Sequence, residues 1–540
     1  MTFAGVRLER GSLTCGPVWQ AGRGLARARA VLLVSLLLPA VAQAAPRKLD
    51  LLEFQVEGNT LLPQREVEAA LYPFLGPDRT VEDAERARAA LEELFIKRGY
   101  PTVSATLPPQ DGSDGVVKIV VVQRTVGRLR VVGATYVAPS AIKSAAPSLA
   151  PGKVPQMTAV QNDLVAMNQL PDRTVTPSLK PGKTPDTVDV DLKVEDNLPL
   201  HGSLELNNRA SPQTTPLRVV GSLSYDNMWG RGDTMTLGFQ AAPARMNDAQ
   251  VGTFGYTYRI PNSRQSLTAS YINSNSNVST GPSGNVIGKG QIAGLRWLTP
   301  FAASDGFTHS LNAGFDYKNL TQDVAFASTT TSSPIEYLPF TATYLASWTG
   351  SNNSTDASGS LIWAFGGIGS SAQDFDNKRL YAQPSFAYLK ADFDHTHALP
   401  YKLEVYAHGQ VQLAPSPLIS SEQFSIGGLD SVRGYLESEA LGDYGVAGQL
   451  ELRSPPLARY IGAPINSLRA ITFVDGGATK IRLPQAGQQS TFSMASVGVG
   501  ASIRLLEHLA GEIDDAQVLL TGPTTKSGTN RVLFRLYGDF

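Results

Sequence analysis

From about His201 to the C-terminus, apolar and aromatic residues alternate with Gly, Ser, Thr and Asn in segments of eight to thirteen residues. Leu217 to Tyr225, Met235 to Phe239, Phe254 to Tyr258, Leu267 to Tyr271 and Val405 to Leu413 all keep this period of two. Such alternation puts apolar side chains on one face of a strand and polar ones on the other. Sixteen strands are expected, beginning near residues 202, 216, 233, 250, 265, 288, 307, 340, 357, 379, 401, 444, 467, 493, 509 and 531. Connections after even-numbered segments are mostly short (Asn227 to Gly232, Pro261 to Arg264, His508). Those after odd-numbered segments are generally longer and rich in Ser, Thr, Asn and Gly.

Single-sided strands can face water or lipid, and composition separates the two. Charged residues make up 17% of the 540, below the roughly 25% of ordinary soluble domains. The longest apolar run, Ala30 to Ala42, contains Ser35 and Pro39 and falls short of the roughly 20 residues a membrane helix needs. A polytopic helical membrane protein is excluded. A closed barrel is not, because in hydrocarbon a sheet satisfies its backbone only by closing on itself, and its strands need only about ten residues each. An even strand number also returns the chain to its starting side, with short turns there and longer loops opposite. Residues 200–540 are therefore expected to form a transmembrane antiparallel 16-stranded β-barrel. A soluble β-sandwich or propeller is the weaker alternative.

The N-terminus supports export. Arg23, Arg27 and Arg29 precede the apolar run and Ala42-Gln43-Ala44 follows it, the order of a secretory signal peptide. Residues 1–44 are expected to be removed, and the single Cys, Cys15, with them. They carry five Arg and one Glu, so the remainder is mildly acidic. With a formal net charge of -1 for the whole chain, no basic excess points to nucleic acid.

Between these segments lie two expected α+β units, residues 49–124 and 125–196. In the first, Leu52, Phe54 and Val56 alternate on a strand that stops at Gly58-Asn59. A short helix opens at Pro63. A longer one, Val81 to Arg98, has Thr80 as N-cap with Asp83 three residues on, the stripe Ala84, Ala87, Leu91, Leu94, Phe95, and Gly99 to end it. Strands Thr102 to Leu107 and Val116 to Val122 complete a β-α-α-β-β order. The order recurs about 75 residues on. Strand Leu129 to Val132 ends at Gly133-Ala134, followed by helix Pro139 to Ala146, helix Thr158 to Asn168 with a Thr158/Gln161 capping box, and strands Val175 to Leu179 and Thr187 to Val194. A tandem of such units resembles the polypeptide-transport-associated (POTRA) repeat, whose first strand ends in a motif like Phe54-Gln55-Val56-Glu57-Gly58-Asn59.

Two motifs narrow the reading further. The longest connection, 414–443, contains Gly427-Gly428-Leu429-Asp430-Ser431-Val432-Arg433-Gly434-Tyr435, and the thirteenth segment contains Phe473-Val474-Asp475-Gly476-Gly477. Both resemble motifs of the Omp85 superfamily, which implies that the loop folds back into the barrel and that its Arg meets an acid on an inner strand. Arg433 is accordingly paired with Asp475, since a buried arginine needs a carboxylate to match its planar fork. Gly427, Gly428 and Gly434 would allow a tight backbone path, and Tyr435 would fill a lumen pocket. The last segment ends in Phe540, which resembles a barrel assembly signal.

Two repeats ahead of sixteen strands resemble the two-partner secretion transporters of the ShlB/FhaC/HecB haemolysin secretion/activation family, and Tyr225-Asp226-Asn227 resembles the start of that family's barrel. The resemblance implies an outer-membrane location with the repeats in the periplasm. It also implies a large haemagglutinin- or haemolysin-like cargo exported unfolded, and the barrel assembly machinery and outer-membrane lipid as further partners. Only about five residues separate Ala44 from the first strand, so the pore-plugging helix of some members is expected to be absent and closure to rest on loop 414–443. The alternative within the superfamily is an outer-membrane protein assembly factor, and a passive porin or a lipase-type enzyme are more distant rivals. No catalytic residue, metal site or cofactor is expected. Nucleotide-binding, Gly-x-Ser-x-Gly and His-Glu-x-x-His patterns are missing from the sequence, and Asp394, His395 and His397 are read as part of a short connection. Glu512, Asp514 and Asp515 are expected to face lumen or water.

Overall fold

The computed structural model describes residues 48–540 except 169, 171, 262, 276–277, 280–285, 288, 327–328 and 507. The expected signal segment, with Cys15, lies outside the described residues. The chain forms two compact units.

The first repeat has the expected order. Strand Glu53–Glu57 lies parallel to Val116–Gln123, which pairs antiparallel with Val103–Thr106. The parallel pair requires a crossover, and two helices supply it, Gln64–Leu71 and Val81–Lys97. Thr80 and Asp83 form a complete capping box, and Ala84, Ala87, Leu91 and Phe95 are buried. Two expectations fail here. Leu52 is 70% exposed because the strand begins one residue later. Pro63 is the N-cap rather than a first-turn residue. A short pair, Leu49–Leu51 with Gly76–Arg79, was not foreseen.

The second repeat follows the same order: strand Thr125–Val132, helices Pro139–Ser144 and Met157–Met167, then strands Arg173–Pro181 and Thr187–Asp196, the last of these central in the sheet. The Thr158 capping box is a misreading. The helix starts one residue earlier, and the Gln156 side-chain oxygen accepts the Ala159 N–H at 2.6 Å. The polar face of Thr187–Asp196 is not solvated throughout, since Asp189 and Asp191 are buried and pair with Arg128 and Lys180.

One contact shows why the two copies share a turn. Gly58 and Gly133 both have positive φ (83° and 92°), and a Cβ on either would stand 2.4 or 2.5 Å from the carbonyl oxygen of Val121 or Val194 respectively. Only glycine fits where the turn backbone touches the central strand.

The second unit contains the barrel. Its strands are β1 (Leu200–Asn207), β2 (Arg218–Met228), β3 (Asp233–Ala241), β4 (Gln250–Arg259), β5 (Ser266–Ser274), β6 (Lys289–Pro300), β7 (Phe307–Phe326) and β8 (Thr329–Tyr337, continued by Pro339–Thr349). The second half comprises β9 (Asn353–Ala364), β10 (Phe386–Ala398), β11 (Glu404–Leu413), β12 (Tyr444–Arg453), β13 (Ile465–Lys480), β14 (Thr491–Leu505), β15 (Leu509–Val518) and β16 (Asn530–Asp539). Both parts of β8 pair with β7 in one register, Lys318 opposite Tyr337 and Phe315 opposite Phe340, so they are a single strand and the barrel has sixteen. Closure is between β16 and β1, with Arg535 opposite Asn207 and Tyr537 opposite Glu205, extended by Phe540 N–H to Gly202 O at 3.0 Å.

The alternation is realised in space. Leu223, Leu237, Phe254 and Tyr271 stand opposite one another on β2 to β5, each 40–43% exposed. A contiguous apolar row on the outside suits lipid rather than water.

Three corrections concern the barrel. The tenth strand starts at Phe386 rather than near 379, and a helix over residues 372–378, capped by Ser371 and Asp374, precedes it. Asp394, His395 and His397 lie within β10 and not in a turn; Asp394 accepts from Tyr406 and faces His408, while His395 bonds Thr355. The connection after β7 is short, because β7 and β8 themselves extend the long-loop side.

Replacing Leu237 by Arg is expected to destabilise the folded barrel in lipid vesicles by about 2–4 kcal/mol in denaturant titrations, whereas Thr236→Arg, on the opposite face of β3, should cost far less. A pH effect follows from Asp196. Burial alone would raise its pKa, but N–H groups of Thr135 (2.9 Å), Tyr136 (2.7 Å) and Val137 (3.0 Å) donate to its carboxylate and hold it below the ordinary value. Its contribution is complete above the ordinary carboxylate range and lost as pH falls through the depressed folded value. Asp196→Asn should therefore weaken protease resistance of the second repeat at pH 7, with the difference from the parent chain vanishing in acid.

Candidate functional site

Loop 414–443 leaves β11 on the long-loop side and returns to β12, yet no residue from Ser416 to Asp443 is exposed. Phe424–Ile426 and Ala440–Gly442 pair as a short stem, and the segment beyond them forms the tip. The tip side chains reach inward-facing residues of β12, β13 and β15, so the loop occupies the lumen.

Arg433 is the centre of that contact and is 2% exposed. Its Nε donates to Asp475 Oδ2 at 2.8 Å and its Nη2 to Asp475 Oδ1 at 2.9 Å, a two-pronged fork. The Arg433 backbone N–H adds a third bond to the same carboxylate at 3.0 Å. Nη1 donates to Glu451 Oε1 at 2.8 Å, and Asp514 Oδ2 lies 3.5 Å away. The guanidinium carbon sits 3.5 Å from the centre of the Phe473 ring, a cation–π contact strengthened by desolvation.

The spacing of Phe473, Asp475 and Gly477 has a physical reason. Residues two apart on a strand share a face, so all three address the loop. The ring carries the guanidinium, the carboxylate grips it, and the missing side chain leaves room for Val432, whose Cγ2 would stand 3.3 Å from a Cβ at position 477. Val432 is fully buried and bridges back to Gly428. Gly427 and Gly428 have φ of 104° and 105°, and a Cβ on Gly428 would strike the Glu437 carboxylate at 2.4 Å. Gly434 runs close to Val518. Tyr435 is 1% exposed, with its hydroxyl donating to Leu520 O at 2.5 Å and accepting the Ala495 N–H at 3.2 Å.

Other sequence-derived candidates fall elsewhere. Phe540 is 67% exposed, its ring lying beside Gly202 at the closing seam. Asn227 donates to the Tyr136 carbonyl at 3.1 Å and accepts the Gly232 N–H. Glu512 and Asp514 face the lumen while Asp515 is exposed on the other face of β15.

Several partners of the loop went unforeseen. Arg209, in the connection after β1, donates to Glu437 Oε1 at 2.9 Å and to Asp430 Oδ2 at 2.5 Å. Glu439 accepts from Thr525, on both its N–H and its hydroxyl. Asp443 grips Arg379 and accepts the Leu418 N–H at 2.8 Å. The available signal was the acidic excess of 414–443, which holds Glu422, Asp430, Glu437, Glu439 and Asp443 against one arginine.

For a metal, the described residues offer one group, Asp172, His201 and Asp226, each with a ligand atom within 4.8 Å of the others. His201 Nε2 lies 2.8 Å from Asp172 Oδ1 and 3.6 Å from Asp226 Oδ2, and all three are partly exposed.

A closed barrel with an apolar outer belt, a loop locked in its lumen and a preceding α+β repeat defines an outer-membrane transporter of the Omp85 superfamily. The model of the haemolysin secretion/activation protein family ShlB/FhaC/HecB matches residues 186–503, and that of the ShlB-type POTRA domain matches residues 49–123. The chain belongs to the ShlB/FhaC/HecB family, the outer-membrane transporters of two-partner secretion, whose POTRA domains are periplasmic. It is 25% identical over 207 residues to the outer membrane transporter CdiB of Dickeya dadantii, a match covering 38% of this chain but only 36% of CdiB. It is 22% identical over 449 residues to the heme/hemopexin transporter protein HuxB of Haemophilus influenzae, covering 80% of this chain and 76% of HuxB. The solved structure of CdiB from Escherichia coli shares the fold, with a TM-score of 0.63 at 18% identity over 94% of this chain and 93% of that one.

Arg433→Ala would leave Asp475 buried without its partner, a loss of about 3–5 kcal/mol for such a pair. The expected outcome is a lower unfolding midpoint of the refolded barrel. Arg433→Lys should rescue little, since a point charge cannot reproduce the fork.

Proposed function

We propose that this chain carries a large partner protein, unfolded, from the periplasm through its barrel to the cell surface. The observation that carries the reading is a pore filled by its own loop, held by Arg433 on Asp475: contacts of this kind close a passage yet can be exchanged when cargo arrives. The roles of Gly427, Gly428, Val432, Gly434 and Tyr435 are to seat that loop, and those of Phe473 and Gly477 to receive it. Phe540 serves barrel assembly, with the assembly machinery as a transient partner. Membership of the secretion family favours export over the assembly of other outer-membrane proteins.

The first repeat supplies a docking place. Glu53–Glu57 is an edge strand of its sheet, and a groove of about 620 Å³ runs between it and helix Gln64–Leu71, lined by Leu52, Phe54, Val56, Leu71, Tyr72 and Leu75 among others. An extended cargo segment can add to that edge through main-chain hydrogen bonds while the groove takes alternate side chains. Leu52 and Tyr72 are 70% and 75% exposed and line the groove, so replacing them leaves the core intact.

Deleting residues 49–195 should abolish secretion of the partner while the barrel still inserts; loss of outer-membrane proteins in general would instead mark an assembly factor. The double change Leu52→Asp and Tyr72→Ala should reduce secreted partner about tenfold, equivalent to roughly 1.4 kcal/mol of docking affinity, read by immunoblot of the medium. Unchanged secretion would discard the groove.

A further inference from the structure

Near the start of the lumen loop, Glu422 ends the turn Ser420–Glu422 and is 1% exposed. Its Oε1 accepts from Lys318 Nζ on β7 and from the Tyr337 hydroxyl on β8, each at 2.6 Å. Its Oε2 accepts from the Tyr388 hydroxyl on β10, also at 2.6 Å. Leu320, Ile335, Phe375, Leu418 and Ile419 pack in the same buried cluster as the two tyrosines. A carboxylate with three donors, one of them charged, is fully satisfied, and in apolar surroundings removing any partner leaves a buried charge short of its bonds.

The backbone around it is tied as well. Gln412 on β11 donates to the carbonyl oxygens of Glu422 and Asp443, both at 3.0 Å, and so holds the two ends of the loop together. The stem of Phe424–Ile426 with Ala440–Gly442 follows directly. Beyond it, Gly427 and Gly428 are the first residues with positive φ, where the path turns into the tip. Two sets of contacts therefore hold the loop on different arcs of the wall. Glu422 holds the stem to β7, β8 and β10, with Asp443 on Arg379 beside it, while Arg433 holds the tip to β12, β13 and β15, aided by Arg209 on Asp430 and Glu437 and by Thr525 on Glu439.

We infer that Glu422, with Lys318, Tyr337 and Tyr388, is a positioning residue that anchors the stem of the loop inside the barrel, so that release of Arg433 loosens only the tip, residues 427–439, and leaves the stem in place. The inference rests on the proposed role of the loop in closing the pore. Opening is then a swing of the tip about a fixed stem, and the open passage runs along the β12 to β15 wall while the stem remains in place.

Single-channel conductance in planar bilayers separates the possibilities. The chains compared are the full-length parent, Arg433→Ala, Arg433→Ala with Glu422→Leu, and a deletion of 416–441, each checked for folding by heat-modifiable gel mobility. Arg433→Ala should conduct more than the parent yet well below the deletion, and adding Glu422→Leu should raise it further toward the deletion's value. Lys318→Met in place of Glu422→Leu should do the same. Conductance of Arg433→Ala equal to the deletion, or no rise on adding either second change, overturns the anchor. A deletion that conducts no better than the parent sinks the closure reading itself. As a second readout, in a Cys15→Ser background, Ser431→Cys and Ser425→Cys report tip and stem to an impermeant maleimide added outside. In Arg433→Ala the tip should label and the stem stay protected until Glu422→Leu is added; equal labelling of both in Arg433→Ala overturns the anchor.

Discussion

Hydrocarbon offers no partner to a peptide N–H or C=O, and that constraint governs everything from Leu200 onward. A sheet in such a solvent cannot end at an edge, so the first and last strands must find each other. β16 meets β1 with Tyr537 opposite Glu205, and Phe540 and Gly202 exchange backbone hydrogen bonds at 3.0 and 3.2 Å. Once the ring is closed, the period of two does the rest. One face of every strand is committed to lipid, and the other to an enclosed space that tolerates polar and charged groups.

That enclosed space sets a second problem, which the loop solves. A lumen wall carrying Glu451, Asp475 and Asp514 concentrates negative charge behind low-dielectric walls, and Arg433 brings a cation that all three contact. The loop itself is acidic, and Glu422, Asp430, Glu437 and Asp443 are met by cations from the wall and its connections: Lys318, Arg209 and Arg379. Charge complementarity thus runs in both directions across one interface. Buried ion pairs of this kind add less net stability than their geometry suggests, because desolvation offsets much of the attraction. What they do supply is register: a loop seated by matched charges has one position in the tube, and contacts that can be traded for others.

The repeats solve a different problem by ordinary means. The core of the first is apolar, with the helix Val81–Lys97 packing Leu91 and Phe95 against Val103, Ile119 and Val121. Their specificity of shape lies in small features, such as the glycine that lets a turn touch the central strand and the carboxylate of Asp196 that gathers three backbone N–H groups. Such modules leave an edge strand free, which in most proteins is a liability.

Periodicity, turn residues and caps are local properties, and local properties were legible in the residues themselves. Strands β3, β4, β7, β12 and β15 begin at the expected residues, and the capping box at Thr80 and Asp83 is present as read. The errors were local: Gln156 rather than Thr158 caps its helix, and β10 begins at Phe386, seven residues after the expected start. The pairing of Arg433 with Asp475 was accessible through motif resemblance, since both ends sit in recognisable sequence. Glu422 had no such mark, because its partners Lys318, Tyr337 and Tyr388 come from three strands separated by up to 104 residues from it. The sequence alone thus determined that the chain alternates and where its turns and caps fall, since each follows from side chains a few positions apart. Which lumen groups meet which loop carboxylate was decided only by the tertiary structure, because strand register and barrel closure bring those atoms within bonding distance and nothing in their chain order does.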